Sequence, residues 1–527
     1  MTPLRSTRLR ALAVWERIER ALDAVAGPSL NPLRQLGALG FWLFWLLAVS
    51  GIYLYAVLDT SVAEAWRSID RLSREQWWLG GVLRSMHRYA ADAFVVVMGL
   101  HLVREALHGR YSGFRRYSWL TGVPLVLLAF ISAIGGFWLT WDALGQFSAV
   151  ATAEWLDRLP LFASPLTRNF ITASAVTDRL FSLFVFIHLG VPLLLVFGLW
   201  FHIQRIARAA VFPPRPMALA SGAALVVLSL AAPVMSQAPA DVSVVPATLA
   251  YDWLLLFVHP LVYATSAEAV WMLFAAALLA LFALPFLPQP ASAPVAVVDA
   301  ANCNGCSRCF DDCPYAAVTM VQHPLRATRR MAQVDADLCA SCGICVGACP
   351  SSTPFRSAAE LVTGIDMPSA PIGALRRDLQ HALGALGDVP GRIVVFGCAH
   401  GADATRLAGP GVAAFGLMCT AQLPPSFVEY ALRDGAAGVL VATCVDGGCE
   451  YRLGTRWTGE RLAGAREPHL RASVSRERLA LVAAGRGDES ALAAALAALR
   501  ERVAALDAAD PVAGPATPTP VPSPAHG

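Results

Sequence analysis

Over the first half of the chain, apolar residues come in long runs instead of alternating with polar ones. Six such runs, at about 38–58, 82–105, 119–140, 179–203, 217–236 and 266–287, each approach the ~20 residues a helix needs to cross a bilayer. The arginines between them are unevenly shared. Arg34, then Arg104, Arg110, Arg115 and Arg116, then Arg205, Arg208 and Arg215 fall in alternate loops. That bias predicts a cytoplasmic N-terminus and, after six crossings, a cytoplasmic C-terminal half. Beyond residue 288 the pattern changes. A Pro/Ala-rich stretch reads as a linker, and short strand-like runs follow at Arg392–Gly397, Val412–Leu417, Gly438–Thr443 and Leu479–Ala484. Helical patterns at 370–386, Pro424–Asp434 and Ser490–Leu506 surround or separate them, which predicts a small α/β domain. The Pro/Ala/Thr-rich tail predicts disorder.

Composition agrees with membrane residence: 56% of the 527 residues are hydrophobic and only 15% are charged. The net charge of +3 gives no reason to expect a nucleic-acid partner. The N-terminal 37 residues are arginine-rich and lack the short apolar core of a secretory signal, so they read as a cytoplasmic amphipathic segment.

The twelve cysteines all lie at or beyond position 303. Eight of them form two copies of CxxCxxCxxxCP: Cys303, Cys306, Cys309 and Cys313, then Cys339, Cys342, Cys345 and Cys349. This spacing wraps a [4Fe–4S] cubane, and in two-cluster proteins the fourth cysteine serves the other cluster. The expected sets are therefore Cys303, Cys306, Cys309 and Cys349 for one cluster, and Cys339, Cys342, Cys345 and Cys313 for the other. Disulfides are disfavoured by such tight, duplicated spacing. Zinc is disfavoured because its sites use paired CxxC knuckles. Unbridged thiols place this half in a reducing compartment, which agrees with the loop charges.

Histidines carry the chemistry of the membrane half. His87 and His101 are fourteen residues apart, as are His188 and His202. Fourteen helical residues rise about 21 Å and return to nearly the same face. Two such helices offer two bis-histidine haem sites, His87 with His188 on the outer side and His101 with His202 on the inner. Ionisable groups inside a membrane are costly and usually functional. Gly37 and Gly51, and Gly122 and Gly136, repeat the same interval and predict close haem contacts on the neighbouring helices.

At these residues the chain resembles cytochrome b of quinol-oxidising complexes, over about 31–210. Arg84-Ser85-Met86-His87-Arg88 resembles its first ligand segment, and Tyr111-Ser112-Gly113-Phe114-Arg115-Arg116, with Trp119 and Gly122, resembles its inner loop. The interval from His188 to His202, with Pro192 between, resembles the mitochondrial type. Arg84 and Arg88 are candidate partners of haem propionates, with a membrane-surface role as the alternative. The family carries Pro-Glu-Trp-Tyr in an outer loop, whose glutamate accepts a quinol proton. Here Tyr251-Asp252-Trp253-Leu254 stands in that place, which makes Asp252 the candidate proton acceptor and a helix cap the alternative. His259 has no partner at haem spacing and reads as structural. Nothing in the chain resembles a Rieske protein.

The other four cysteines, Cys398, Cys419, Cys444 and Cys449, gather at the carboxyl ends of predicted strands, where α/β sheets bind ligands. They suit one [2Fe–2S] cluster. Phe396-Gly397-Cys398, Met418-Cys419-Thr420 and the run from Val441 to Tyr451 resemble the delta subunit of the methyl-viologen-reducing hydrogenase, over about 390–465. Gly401 stands where that family has a second thiol, and His400 is an alternative ligand.

The expected fold class is multi-domain: a cytochrome b-like α-helical membrane bundle of six spans, a ferredoxin-like α+β module and a small α/β domain. Its expected segments are 1–37 (N-terminal segment), 38–210 (dihaem domain), 211–288 (two further spans with an outer quinone-site loop), 289–298 (linker), 299–355 (ferredoxin), 356–389 (connector), 390–508 (hydrogenase delta-like) and 509–527 (tail). The expected function is electron transfer between quinone and a cytoplasmic redox partner in a prokaryotic inner membrane. Two b haems, two [4Fe–4S] clusters and one [2Fe–2S] cluster would carry it. The delta-subunit resemblance implies a heterodisulfide-reductase-like flavoprotein as partner, and the cytochrome resemblance implies a homodimer. The rival readings are a haem-containing membrane anchor for a soluble oxidoreductase and a carrier serving a periplasmic cytochrome.

Overall fold

A computed structural model describes residues 3–204, 209–245, 248–288, 294–356, 360–387 and 389–509. Arg205, Arg208, the first part of the expected linker and nearly all of the expected tail lie outside these residues. The chain divides into two compact units, the first running to Pro290 and the second starting at Ala291.

The first unit is helical. Its elements are α1 (Pro3–Ala26), α2 (Leu36–Val57), α3 (Ala65–Arg74), α4 (Val82–Leu107), α5 (Arg116–Thr140), α6 (Ala143–Leu156), α7 (Asp178–Gln204), α8 (Arg215–Ala231), α9 (Val258–Ala264) and α10 (Ala267–Ala283). Among the described residues, four stretches are long and apolar enough to cross a membrane: Leu36–Val57, Gly113–Thr140, Asp178–Gln204 and Ala267–Phe286. Two of the six expected spans fall short of that standard. The helix α4 is long enough, but Arg84, Arg88, Asp92, Arg104 and Glu105 dilute its apolar character. The helix α8 stops at Ala231, five residues before the expected end. Pro233 explains this, since proline removes a donor and restricts the residue before it.

Within the unit α2 packs against α4, and α5 against α7. Apolar side chains of α2, α4, α5 and α7 share one core around Leu43, Phe44, Phe94, Ala129 and Leu195. The amphipathic α1 is fastened to this bundle by a buried ion network. Glu19 bonds Arg104 at 2.8 Å and Arg34 at 3.1 Å, while Asp23 takes Arg34 at 2.7 Å.

The second unit holds β1 (Val297–Val298), α11 (Arg308–Asp312), β2 (Val318–Gln322), β3 (Arg330–Val334), α12 (Ile344–Ala348), β4 (Ile365–Asp366), α13 (Ile372–Leu386), β5 (Ile393–Cys398), β6 (Val412–Leu417), α14 (Ser426–Arg433), β7 (Gly438–Thr443), α15 (Gly454–Ala463), β8 (Leu479–Ala483) and α16 (Glu489–Ala509). The strands β2 and β3 pair antiparallel, as do β1 and β4. The strands β5 to β8 form a parallel sheet in the order β6-β5-β7-β8. Its two central strands are buried along their whole length, as expected of a parallel sheet covered on both faces. Val394, Phe396, Val439 and Val441 face Leu379 and Leu383 of α13 and Phe427 and Val428 of α14. The alternate residues Ile393, Val395, Leu440 and Ala442 face Leu492, Leu496, Leu499 and Val503 of α16. The first of these cores also takes in Cys303, Cys309, Val318, Ala332, Cys345 and Val346, so the cysteine module and the α/β module share one apolar interior.

Candidate redox sites

The helices α4 and α7 each carry two histidines, and each histidine lies against a glycine of the helix packed behind it. A Cβ placed on Gly51 would stand 3.1 Å from His87 Cε1, and one on Gly37 would stand 3.4 Å from His101 Cε1. On the other side Gly136 meets His188 at 2.9 Å and Gly122 meets His202 at 3.0 Å. The glycines therefore make room for the imidazoles themselves, not only for a flat group between them. Three imidazoles are also held from behind. His188 Nδ1 donates to the Ser132 carbonyl at 2.9 Å, His87 Nδ1 lies 3.0 Å from Ser50 Oγ, and His202 Nδ1 lies 3.3 Å from Thr121 Oγ1. Such partners fix the ring and leave Nε2 as the nitrogen that could bind a metal.

The His87 and His188 ring centroids are 6.3 Å apart. Two axial bonds of about 2 Å each, plus the half-width of each ring, give about 6 Å across a single metal. The pair thus has the spacing that a bis-histidine haem requires.

The residues around this pair are more engaged than the sequence suggested. Arg84 is buried and donates to Ser73 Oγ at 2.8 Å and to the Ile69 carbonyl at 3.3 Å. Arg88 forms ion pairs with Asp92 and with Asp252. Asp252 also accepts from the backbone N–H groups of Leu254 at 3.1 Å and Leu255 at 2.7 Å. The capping geometry weighed against a proton-accepting role is therefore present, and so is a direct link to the neighbour of His87. His259 is buried with Nε2 3.2 Å from Ser148 Oγ.

In the second unit the two CxxCxxC runs fold alike. Gly305 and Ser307 take positive φ of 73° and 64°, and Ser341 and Gly343 take 54° and 75° at the matching positions. Successive left-handed residues curl the backbone into a concavity whose N–H groups can face sulfur. Cys303, Cys306, Cys309 and Cys349 line one cavity with Met320, Ala332 and Ile365. Burial, then the neighbouring Cys349, Cys306 and Cys303 thiols, push Cys309 up to about 12. Burial also raises Cys345 well above its usual value, with Cys342, Cys309, Cys313 and Cys339 adding to it. Cys349 thus lies with Cys303, Cys306 and Cys309, and Cys342 lies near Cys313 and Cys339. Among the described residues no three His, Cys, Asp or Glu side chains close on one metal ion.

The remaining four cysteines converge on one rim of the parallel sheet. Cys444 Sγ donates to Cys398 Sγ at 3.3 Å. Hydrogen bonds to Cys398 and Cys449 push the Cys444 thiol up, and the bond from Cys444 pulls Cys449 down to about 6. Crowded, largely buried thiols are the donor set an iron–sulfur centre needs. Gly401 has no room for a side chain, since a Cβ there would stand 2.7 Å from the Ala484 carbonyl oxygen. His400 Nε2 lies 3.2 Å from the Tyr451 hydroxyl, a partner other than the thiols it was an alternative to.

Gly454 opens α15 beneath the thiols. A Cβ there would lie 2.3 Å from Cys419 Sγ and 3.3 Å from Cys449 Sγ. Gly454→Val is expected to remove the C-terminal centre while leaving the eight ferredoxin cysteines loaded. Non-haem iron on the purified protein checks this; retention of wild-type iron would contradict it.

Sequence reasoning missed Asp312 and Arg461. Both are buried, with Arg461 Nη2 2.5 Å from Asp312 Oδ2. Breaking such a pair by removing one partner typically costs about 3–5 kcal/mol. No sequence signal links them, because they are 149 residues apart.

Residues 22–210 match the family model of cytochrome b/b6/petB. Residues 302–353 match the 4Fe-4S dicluster domain, and residues 392–507 match the methyl-viologen-reducing hydrogenase, delta subunit. Among solved structures, one titled "Hyperthermophilic respiratory Complex III" is 22% identical over 49% of this chain and 75% of that chain, with a TM-score of 0.39. Three family models thus match consecutive parts of one polypeptide: a helical cytochrome b-like region followed by a mixed α/β region. The matches and the apolar helices mark a multi-pass membrane protein of electron transfer, and they imply haem b in the first half and an iron–sulfur cluster in the second.

Proposed function

We propose that this chain passes electrons between the quinone pool and a cytoplasmic redox partner. When bound, two b haems, two [4Fe–4S] clusters and one [2Fe–2S] cluster supply one-electron chemistry. The chain's residues set their order. His87 with His188 would hold the outer haem, and His101 with His202 the inner one. Cys303, Cys306, Cys309 and Cys349 would hold one cubane, and Cys339, Cys342, Cys345 and Cys313 the other. Cys398, Cys419, Cys444 and Cys449 would hold the C-terminal centre. The segments 1–37, 38–210, 211–288, 299–355 and 390–508 are the working units of this reading, and both termini lie on the cytoplasmic side of a prokaryotic inner membrane.

The observation that carries the quinone link is the Arg88–Asp252 pair. It ties the only acid of the outer-loop segment Tyr251–Leu254 to the residue next to His87. Oxidising a quinol to a quinone releases two electrons and two protons, and reduction takes up the same. A carboxylate beside the outer histidine can exchange one of those protons, provided it lets go of Arg88 to do so. With the cell interior negative, each electron moving from the cytoplasm to an outer site gains about 2.3 kcal/mol per 100 mV. Net quinone reduction by cytoplasmic electrons is therefore the favoured direction, with a heterodisulfide-reductase-like flavoprotein as the donor class.

Asp252→Asn keeps the size and the capping acceptor but cannot bind the proton in the same way. It is expected to slow quinol-driven haem reduction about 10²-fold, with both haems retained. Stopped-flow absorbance of the b haems under anaerobic quinol checks this. An unchanged rate would remove Asp252 from the mechanism and favour the rival reading, in which the haems only anchor a ferredoxin platform. The backbone bonds from Leu254 and Leu255, which make Asp252 a cap, are what favours that rival.

A further inference from the structure

Asp312 ends α11 and immediately precedes Cys313. Its carboxylate accepts from Arg461 Nη2 at 2.5 Å and from Arg466 Nη1 at 2.5 Å, two cations from the far end of the unit. Its backbone carbonyl accepts from Trp457 Nε1 at 3.1 Å, and the Arg466 guanidinium lies over the Trp457 ring, 3.3 Å from its centroid. Arg461 reaches further, donating to the Ala421 carbonyl at 2.7 Å and to the Ile344 carbonyl at 3.4 Å. One buried guanidinium therefore touches Asp312 before Cys313, Ile344 before Cys345 and Ala421 just past Cys419. The backbones meet as closely. A Cβ on Gly347 would stand 2.0 Å from the Ala421 oxygen, and one on Gly343 2.9 Å from Gln422 Cγ. Cys342 and Cys419 are buried in one apolar cluster with Ile344, Ala421 and Trp457. The other cubane set is placed differently. Among the described residues its cavity is lined by residues between 303 and 365, and Cys306 is exposed.

We propose that Asp312, Arg461, Arg466 and Trp457 form a latch that seats Cys342 against Cys419 and makes this contact the electron hand-off to the C-terminal centre. The centre held by Cys398, Cys419, Cys444 and Cys449 then exchanges electrons with the Cys313–Cys339–Cys342–Cys345 site and not directly with the Cys303–Cys306–Cys309–Cys349 site. One electron leaves one site and enters the other; no atom or proton moves with it. The latch side chains touch no cluster and act as positioning residues. Because the buried charges are paired across two sequence-distant segments, they fix one arrangement of the two sites. The proposal rests on the reading that the last four cysteines hold an iron–sulfur centre.

The test is electron paramagnetic resonance of the full-length protein, purified anaerobically and fully reduced, in wild type and Arg461→Met. The wild type is expected to show spin–spin broadening between the C-terminal centre and one cubane. Cys342→Ser should remove that broadening, and Cys306→Ser should not. Arg461→Met should keep wild-type iron, lose at least half of the broadening, and fill the C-terminal centre at least tenfold more slowly in freeze-quench experiments. Arg461→Lys should recover part of both. Should the single change not fold, Asp312→Leu with Arg461→Met removes both charges together and is read in the same way. Unchanged broadening in a variant with wild-type iron would overturn the latch. So would broadening that disappears with Cys306→Ser. A wild-type protein that shows the C-terminal centre but no broadening would overturn this proposal alone, whereas one without that centre would overturn the underlying reading as well.

Discussion

His188→Ala is expected to lower haem b from two to about one per chain. The 6.3 Å separation of the His87 and His188 rings leaves each of them as one half of a single site. Removing one imidazole strips an axial ligand and opens a cavity between α5 and α7, where a Cβ on Gly136 already finds His188 at 2.9 Å. The inner pair stands fourteen helical residues away, about 21 Å along the axis, and its glycines and hydrogen bonds are separate. The loss is thus confined to one site. Pyridine haemochrome content and a redox titration going from two waves to one would report it. Gly136→Leu, which crowds the same ring without replacing it, is expected to give the same result. Two haems surviving in either variant would mean that His188 is a structural histidine.

The second large effect is expected from Cys419→Ala. Cys419 is buried, and burial together with Cys449, Cys398 and Cys342 raises its thiol well above the usual value. Its sulfur and that of Cys449 lie together against Gly454, which suits a shared ligand set. Its loss should lower non-haem iron from about ten to about eight per chain, the amount two cubanes hold. Electron entry from a cytoplasmic donor should fall at least ~100-fold, while quinol still reduces the haems. The α/β sheet should survive, because its two faces are packed by α13, α14 and α16 and not by the thiols. Iron analysis and circular dichroism on one sample separate these outcomes. Wild-type iron in Cys419→Ala would place the fourth ligand elsewhere.

The parts of this fold that were legible in the sequence are those set by local pattern. The strands β5 to β8 fall within a residue or so of the apolar runs that announced them, because a strand buried on both faces reads as an unbroken run. The structure places Cys349 with Cys303, Cys306 and Cys309, and His87 beside His188, where the spacings of the cysteines and histidines led one to look. The parts that stayed hidden depend on residues far apart in the chain. The helix α15 has no apolar period, and Trp457 and Arg461 are buried only because Asp312, about 150 positions earlier, lies beside them. The engagement of Asp252 by Arg88 and the Glu19–Arg104 bond are equally non-local. The early end of α8 was a local signal, Pro233, outweighed by the hydropathy of the run around it.

The central claim is a continuous path from cytoplasmic donor to quinone through residues of this one chain. The most direct test uses inside-out vesicles under anaerobic conditions. A membrane-impermeant low-potential reductant is added outside, and the b-haem absorbance is followed before and after a short-chain quinone is supplied. The account predicts that the haems reduce, that quinone reoxidises them within the same trace, and that Cys419→Ala blocks the first step when the electrons come through a cytoplasmic partner protein. Iron–sulfur centres that reduce while the haems stay oxidised, or reduced haems that quinone leaves untouched, would contradict it.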